Sequence, residues 1–142
     1  MPPTLDARTL SLCAWSLIVA GFLSGATLGL FFHRDDFLGG YGSFRRRLLR
    51  LGHIACIALG LLALQLLDTL AAHTATVPPV SPPPHWIAPA FLAGAALMPT
   101  VCFLTAWRRP FRHLFALPVA LLVTPIVALL IELARSLPRS SP

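Results

Sequence analysis

Residues 9–32 read TLSLCAWSLIVAGFLSGATLGLFF, an apolar run that contains no charged residue. A helix needs about 20 residues to cross the roughly 30 Å hydrocarbon core of a bilayer, so this run is long enough to span a membrane. Three further apolar runs follow, at residues 48–72, 86–107 and 114–134. The sequence therefore predicts an all-α integral membrane protein, built as a four-transmembrane-helix bundle with short loops.

The composition supports a single membrane domain over residues 1–142. Hydrophobic residues make up 56% of the chain and charged residues only 11%, whereas about a quarter of a typical soluble domain is charged. The four runs leave no room for a soluble catalytic domain beside the bundle. The first run is longer than the usual core of a signal peptide, so we interpret it as a retained span. Residues 135–142 are predicted to form a disordered tail.

The basic residues predict the orientation of the chain. They are 11 arginines with no lysine, and the net charge is +6. Eight arginines lie between the first and second runs, at the start of the second, or between the third and fourth: Arg34, Arg45, Arg46, Arg47, Arg50, Arg108, Arg109 and Arg112. Because basic loops resist translocation, we expect these segments in the cytoplasm and both termini outside it, in an inner or plasma membrane.

The same arginines indicate which partners the chain binds. A strongly basic chain can bind nucleic acid, but these arginines flank apolar spans, so anionic lipid headgroups are the expected counter-charge and nucleic acid is not. Four of these arginines cluster around the start of the second run. They are the candidate headgroup ligands, namely Arg45, Arg46, Arg47 and Arg50. Ser43, just before them, is a candidate N-cap for this helix.

Small residues spaced by four predict close helix packing in the first two spans. Lipid tails are as apolar as leucine, so helices associate in a bilayer through close backbone approach and hydrogen bonds. The first span carries Gly21, Gly25 and Gly29, and the second carries Gly52, Cys56 and Gly60. These stripes are predicted to face each other or a partner protein; the alternative is that glycine is simply common in membrane helices.

Histidines near the arginine-rich loops are candidate haem ligands. Two histidines on different helices at matching depth can ligate a haem iron while arginines bind the propionates. His53 lies one helical turn past Arg50, and His113 or His33 near the span ends would supply the second ligand. Haem b is thus a candidate cofactor. The alternative is that His53 is a polar residue at a helix interface.

Two carboxylates lie within the apolar runs near the opposite ends of the helices. Ionisable groups at membrane depth are costly, so Asp68 and Glu132 are candidates for proton transfer or for contact with a quinone. The alternative is that each reaches water or pairs with Arg135 or a histidine. His33 precedes Asp35 and Asp36, but ligands this close together are more typical of a turn, so no metal site is predicted.

The function predicted from these features is non-catalytic. The chain has no glycine-rich phosphate loop, nucleophile elbow or zinc-ligand pair, and its three cysteines are isolated from one another. We expect a small accessory or assembly subunit that binds other membrane subunits or a second copy, a respiratory complex being one candidate. The alternative is a b-type haem electron-transfer protein with bis-histidine ligation. A third is a small transporter or channel that uses Asp68 and Glu132.

Overall fold

A computed structural model describes residues 6–31, 33–76 and 83–136. Of Thr76 it describes the backbone alone. Its four α-helices are α1 (Ala7–Leu30), α2 (Phe44–Thr76), α3 (Ile87–Trp107) and α4 (Ala116–Ser136). Short 3-10 segments, Phe37–Gly39 and Arg109–Phe115, lie in two connections, and the described residues contain no strand. All four helical regions are long and apolar enough to cross a membrane, which confirms the predicted all-α bundle of four transmembrane helices.

Helix α2 is longer than the apolar run from which it is predicted. It begins at Phe44, four residues before the run, and continues to Thr76, four residues after it. Its 33 residues extend about 50 Å at 1.5 Å per residue, well beyond the thickness of a hydrocarbon core. An upright α2 therefore extends past the apolar layer. Helix α4 ends at Ser136, and the rest of the predicted tail, residues 137–142, lies outside the described residues.

Side-chain caps begin the first two helices. The backbone amide of Thr9 donates to Oδ1 of Asp6 at 3.0 Å, and hydrogen bonds from the Thr9 side chain and backbone hold the pKa of Asp6 below its ordinary value. Oγ of Ser43 accepts the backbone amide of Arg46 at 3.2 Å, so this serine caps α2 as the sequence predicts. Each cap satisfies one of the amides that the first turn of a helix leaves without an acceptor.

Successive helices are antiparallel. Gly21 of α1 lies against Cys56 and Ile57 of α2, whereas Gly25, further along α1, lies against His53, earlier in α2. The same reversal relates α2 to α3, since Gly52 near the start of α2 packs under Phe103 near the end of α3. The short Arg109–Phe115 segment returns the chain, and Gly94 of α3 packs under Leu121 and Leu122 of α4. The chain therefore runs up and down through the bundle, with each helix packed on the one before it.

Helix α3 lies at the centre of the bundle. Its buried residues run along one broad face of the helix, from Ile87 at its start to Ala106 near its end, because α2 and α4 both pack on it and α1 touches it. The buried core draws on all four helices and consists of Ala14, Ala63, Leu66, Ile87, Phe91, Ala95, Leu122 and Leu129. The opposite face of α3 is exposed and consists of Ala93, Ala96, Thr100, Leu104 and Trp107.

The two ends of the bundle differ. The terminal end, where α1 and α3 begin and α2 and α4 finish, includes the core residues Ile87 and Leu129. The arginine-rich end consists of the 33–43 loop, the start of α2, the end of α3 and the Arg109–Phe115 segment. There the last turn of α1 is largely exposed: among the described residues no atom lies within 4 Å of a Cβ added at Gly29, and Leu30 is 79% exposed.

Candidate functional site

The loop at the arginine-rich end is folded onto the start of α2. Leu38, Gly39 and Gly40 have φ values of 58°, 86° and 90°, in the left-handed region that glycine adopts at little cost. This backbone reverses direction so that Oγ of Ser43 donates to the carbonyl of Leu38 at 2.8 Å. Since the same hydroxyl caps α2, one serine joins the loop to the helix. The loop is thus held in a defined conformation against the start of α2.

Tyr41 of this loop lies between two arginines of α2. The guanidinium carbon of Arg50 is 4.4 Å from the centroid of the Tyr41 ring, and that of Arg46 is 5.2 Å from it. Nη2 of Arg50 also donates to the Tyr41 carbonyl at 3.3 Å, and Arg46 is only 5% exposed. Cation–π contacts of this kind stabilise the loop against the helix. Arg46 and Arg50, two of the predicted headgroup ligands, are therefore engaged within the chain.

Arg45 faces a different surface, a cleft between the loop and the end of α3. This cleft has a volume of about 450 Å³, and Arg45 and Arg109 both line it. Its remaining lining residues are Leu38, Gly39, Ser43, Phe44, Ala106 and Trp107. The Arg109 guanidinium lies 5.8 Å from the centroid of the Phe44 ring, which orients it beside the cleft. We call this space the arginine cleft.

The arginine cleft continues into a smaller apolar compartment. This compartment has a volume of about 240 Å³ and is lined by Leu38, Arg45, Leu49, Ala106 and Trp107. Arg45 thus lies at the boundary between a polar and an apolar space. Trp107 is the last residue of α3 and is 81% exposed. It lines both the arginine cleft and the apolar compartment.

The sequence places Arg109 in the basic loop without assigning it to a site, and it gives Trp107 no binding role. Both come next to Arg45 only because α3 packs antiparallel to α2. The sequence held one indication of this proximity. If the second and third spans form a hairpin, the end of the third span, with Trp107 and Arg109, returns to the level at which the second span begins. The fourth predicted headgroup ligand, Arg47, is exposed on the first turn of α2 and does not line the cleft.

His53 lies at the interface of α1 and α2. A Cβ placed on Gly25 would come within 2.9 Å of Cδ2 and 3.4 Å of Nε2 of His53, so the imidazole ring lies on the bare backbone of that glycine. Nδ1 of His53 is buried and has no hydrogen-bond partner among the described residues. The glycine is what allows a ring of this size at the interface.

The other two candidate haem ligands lie on different segments. His113 is exposed in the Arg109–Phe115 segment, where Nε of Arg112 approaches its Nε2 at 3.5 Å. That segment packs on α3 and α4, whereas His53 packs on α1. His33 is exposed in the loop after α1. The structure places the three histidines in separate environments at the same end of the bundle.

Three of the predicted packing glycines lie in the α1–α2 interface. Gly21 and Gly25 of α1 face α2, and Gly60 of α2 faces Ala14 and Ile18 of α1. A Cβ on Gly60 would lie 2.6 Å from Cγ1 of Ile18 and 3.0 Å from the Ala14 carbonyl oxygen. Gly52 instead packs under Phe103 of α3, and Gly29 has open space around it. Close approach of α1 and α2 therefore depends on glycine in the middle of the pair.

The two carboxylates at the terminal end have separate surroundings. Asp68 is exposed on α2 and lines an open groove of about 610 Å³, together with Gln65, Thr69, Ala72, His73, Leu133 and Ser136. Glu132 does not line this groove, and its Oε1 forms an ion pair with Nη1 of Arg135 at 3.2 Å. Within residues 6–31, 33–76 and 83–136, no group of three or more metal-ligating side chains is assembled.

Comparisons with known proteins place the chain in no family. No family model, curated protein or solved structure matches it.

Proposed function

We propose that this protein is a small accessory or assembly subunit that docks onto a larger membrane complex, a respiratory complex being one candidate. The observation that carries the proposal is the division of the exposed part of α1 into two stripes. Leu10, Ala14, Ile18 and Gly21 are buried on the side of α1 that packs into the bundle. The rest of the helix presents one stripe of small side chains and one of large apolar side chains.

The small-residue stripe of α1 follows spacings of three and four, so its members share one face of the helix. These members are Thr9, Cys13, Ser16, Ala20, Ser24 and Thr27, of which all but the half-buried Ser24 are exposed. Hydroxyls in the stripe are already satisfied, because Ser16 donates to the Leu12 carbonyl at 2.8 Å and Ser24 to that of Gly21 at 2.9 Å. The face therefore offers a shallow groove without unsatisfied donors.

The large-residue stripe of α1 lies beside it, on the adjoining face of the helix. Its members are Leu12, Trp15, Val19, Phe22, Leu23 and Leu30, all exposed, and the exposed Ala26 lies on the same face. Large apolar side chains suit contact with lipid, whereas small side chains let a second helix approach closely. The sorting of side chains by size, in a helix that faces the membrane, supports a docking face for another transmembrane helix.

The proposal includes an orientation in the membrane. The arginine-rich end would lie in the cytoplasm and both termini outside it, in an inner or plasma membrane. Support comes from the distribution of charge: Arg45, Arg46 and Arg47 begin α2, and Arg108, Arg109 and Arg112 follow α3 at the same end of the bundle. Positively charged segments are retained on the cytoplasmic side.

Co-purification from mild detergent tests the subunit proposal. The full chain, carrying an affinity tag and produced in its native membrane, is expected to bring down a defined set of membrane proteins or a second copy. Ala20→Leu fills the small-residue stripe and should remove most of the co-purifying material. Ala26→Leu is the matched control, since it makes the same change on the large-residue stripe of the same helix. Loss of partners in both variants, or in neither, would contradict the assigned docking face.

A b-type haem function is the second candidate, and one observation favours it. Nδ1 of His53 is buried without a hydrogen-bond partner in the described part of the chain, so this imidazole is not committed to a structural bond through that atom. A visible absorption spectrum of protein produced with ample haem decides the matter. A Soret band that His53→Ala removes would support haem binding; a spectrum without the band would exclude it and leave the subunit proposal in place.

A further inference from the structure

We propose that the arginine cleft binds one anionic glycerophospholipid, with its phosphate between Arg45 and Arg109 and the upper part of an acyl chain in the compartment beside Leu49. The two cationic side chains come from different segments, Arg45 from the first turn of α2 and Arg109 from the segment after α3. A lipid bound between them would connect the second and third spans at this end. This site is independent of the docking face on α1.

The charge at the cleft favours an anion. Arg45 and Arg109 both line it, and no acidic residue does so within the described ranges. The cleft also lies at the N-terminus of α2, where the first backbone amides have no intrahelical acceptor. Ser43 accepts two of them, from Arg46 through its hydroxyl and from Arg47 through its carbonyl, while the described residues supply no acceptor for those of Phe44 and Arg45. Helix N-termini attract negative charge, so the dipole of α2 adds to the two guanidinium groups.

Not every arginine at this end has the same role. Arg46 and Arg50 hold the Tyr41 ring and are engaged within the fold. Arg109 is held beside the cleft by the Phe44 ring, and Arg45 is exposed on the cleft wall. A pair of oriented guanidinium groups suits a phosphate, which accepts bidentate hydrogen bonds from arginine. The specific ligands are therefore Arg45 and Arg109, and the rest of the basic cluster supplies background charge.

The apolar compartment favours a lipid over a soluble phosphate. Its walls of Leu38, Leu49, Ala106 and Trp107 adjoin the charged cleft, so a ligand that fits both has a charged head and a hydrocarbon part. The location agrees, because an upright α2 extends past the apolar layer and Trp107 lies at the end of α3, where an indole ring prefers the membrane boundary. A phospholipid headgroup lies at that same depth.

Native mass spectrometry of the full chain in detergent tests the site. The protein is titrated with phosphatidylglycerol and, separately, with phosphatidylcholine of the same acyl chains. We expect one tightly bound phosphatidylglycerol and about tenfold weaker binding of phosphatidylcholine. In Arg45→Gln/Arg109→Gln the phosphatidylglycerol affinity should fall about tenfold or more, which corresponds to the loss of a charge-assisted hydrogen bond. Both arginines are exposed, so the double variant should keep its fold, and its elution volume and thermal midpoint check this.

Two matched controls separate a specific site from general charge. Arg112→Gln removes an exposed arginine of the same 3-10 segment that does not line the cleft, and Arg8→Gln removes one at the terminal end. Both should bind phosphatidylglycerol like the parent chain. A loss in Arg112→Gln equal to that in the double variant would overturn the site, as would a double variant that binds like the parent.

A competition experiment distinguishes a lipid from its headgroup. Inorganic phosphate and deacylated glycerophosphoglycerol, each at a hundredfold excess, should leave most of the phosphatidylglycerol bound, because neither fills the compartment beside Leu49. Complete displacement by either would show that the cleft takes a soluble phosphate and would contradict the lipid assignment. None of these outcomes affects the co-purification experiment on α1, so the two proposals fail separately.

Discussion

The two ends of the bundle are built in opposite ways. At the terminal end the chain places Ile87, Phe91 and Leu129 in a core shared by all four helices. At the arginine-rich end the last turn of α1 is exposed, and the space between the loop and α3 is a cleft lined by Arg45 and Arg109. The first end combines packed apolar side chains with an open groove lined by Asp68 and His73, whereas the second places arginines around aromatic rings.

Because of this difference, we expect stability to depend mainly on the terminal end and binding mainly on the arginine-rich end. Close packing at the terminal end supplies dispersion contacts, which are the main favourable term between helices in a bilayer. The arginine-rich end presents positive charge held by Tyr41 and Phe44. Substitutions at the terminal end should therefore change the free energy of unfolding, and those at the arginine-rich end should change what the protein binds.

Truncation of Phe91 is expected to have the largest effect. This ring is 2% exposed and touches the shared core, so Phe91→Ala should lower the free energy of unfolding by about 3 kcal/mol through the cavity it leaves. Trp107→Ala, at the other end, removes a larger but exposed ring and should cost under about 1 kcal/mol. Unfolding by sodium dodecyl sulfate in mixed micelles measures both. Equal losses would mean that the two ends contribute equally to stability.

Filling Gly60 is expected to have the next largest effect. A side chain here would collide with Ile18 and with the Ala14 carbonyl oxygen, so Gly60→Leu should separate α1 from α2 at a cost of about 2 kcal/mol. Gly29→Leu is the matched control, because a Cβ added at Gly29 meets none of the described residues within 4 Å. The same unfolding assay applies. If Gly29→Leu lowered the free energy of unfolding more than Gly60→Leu, the C-terminal turn of α1 would be packed against other residues, which would contradict the account.

Removal of the Tyr41 ring is expected to have a smaller, local effect. Tyr41→Leu deletes contacts with Arg46 and Arg50, together worth about 1 kcal/mol, and amide exchange in the 33–43 loop should become about fivefold faster. Tyr41→Phe keeps an aromatic ring and should retain most of the protection. Exchange rates that stay the same in Tyr41→Leu would show that the loop is held by its other contacts.

The fold was predictable because membrane spans follow from hydropathy. The four apolar runs gave the number and order of the helices, and short connections imply antiparallel neighbours. Hydropathy could not give the bounds of α2, since Phe44–Arg47 and His73–Thr76 are helical without belonging to the apolar run. A helix that projects into water continues through polar residues, so its ends depend on caps such as Ser43 rather than on lipid.

The site was less predictable than the fold. The arginine cluster indicated the end of the molecule at which the cleft lies. The sequence does not distinguish its arginines from one another, whereas in the structure they have different contacts. Arg46 and Arg50 hold Tyr41, whereas Arg45 lines the cleft with Arg109. This division depends on the path of the loop through Leu38, Gly39 and Gly40 and on the packing of α3 against α2. Both are tertiary features that local sequence patterns do not specify.

Labelling of single cysteines in intact cells tests the central claim that the two ends lie on opposite sides of the membrane, with the arginine-rich end inside. Asp36→Cys, Pro110→Cys and Ser136→Cys each introduce an exposed thiol into a chain whose Cys13, Cys56 and Cys102 are replaced by alanine. With a membrane-impermeant maleimide, residue 136 should label in intact cells and residues 36 and 110 only after permeabilisation. Labelling of residue 36 or 110 in intact cells, with residue 136 protected, would contradict the account.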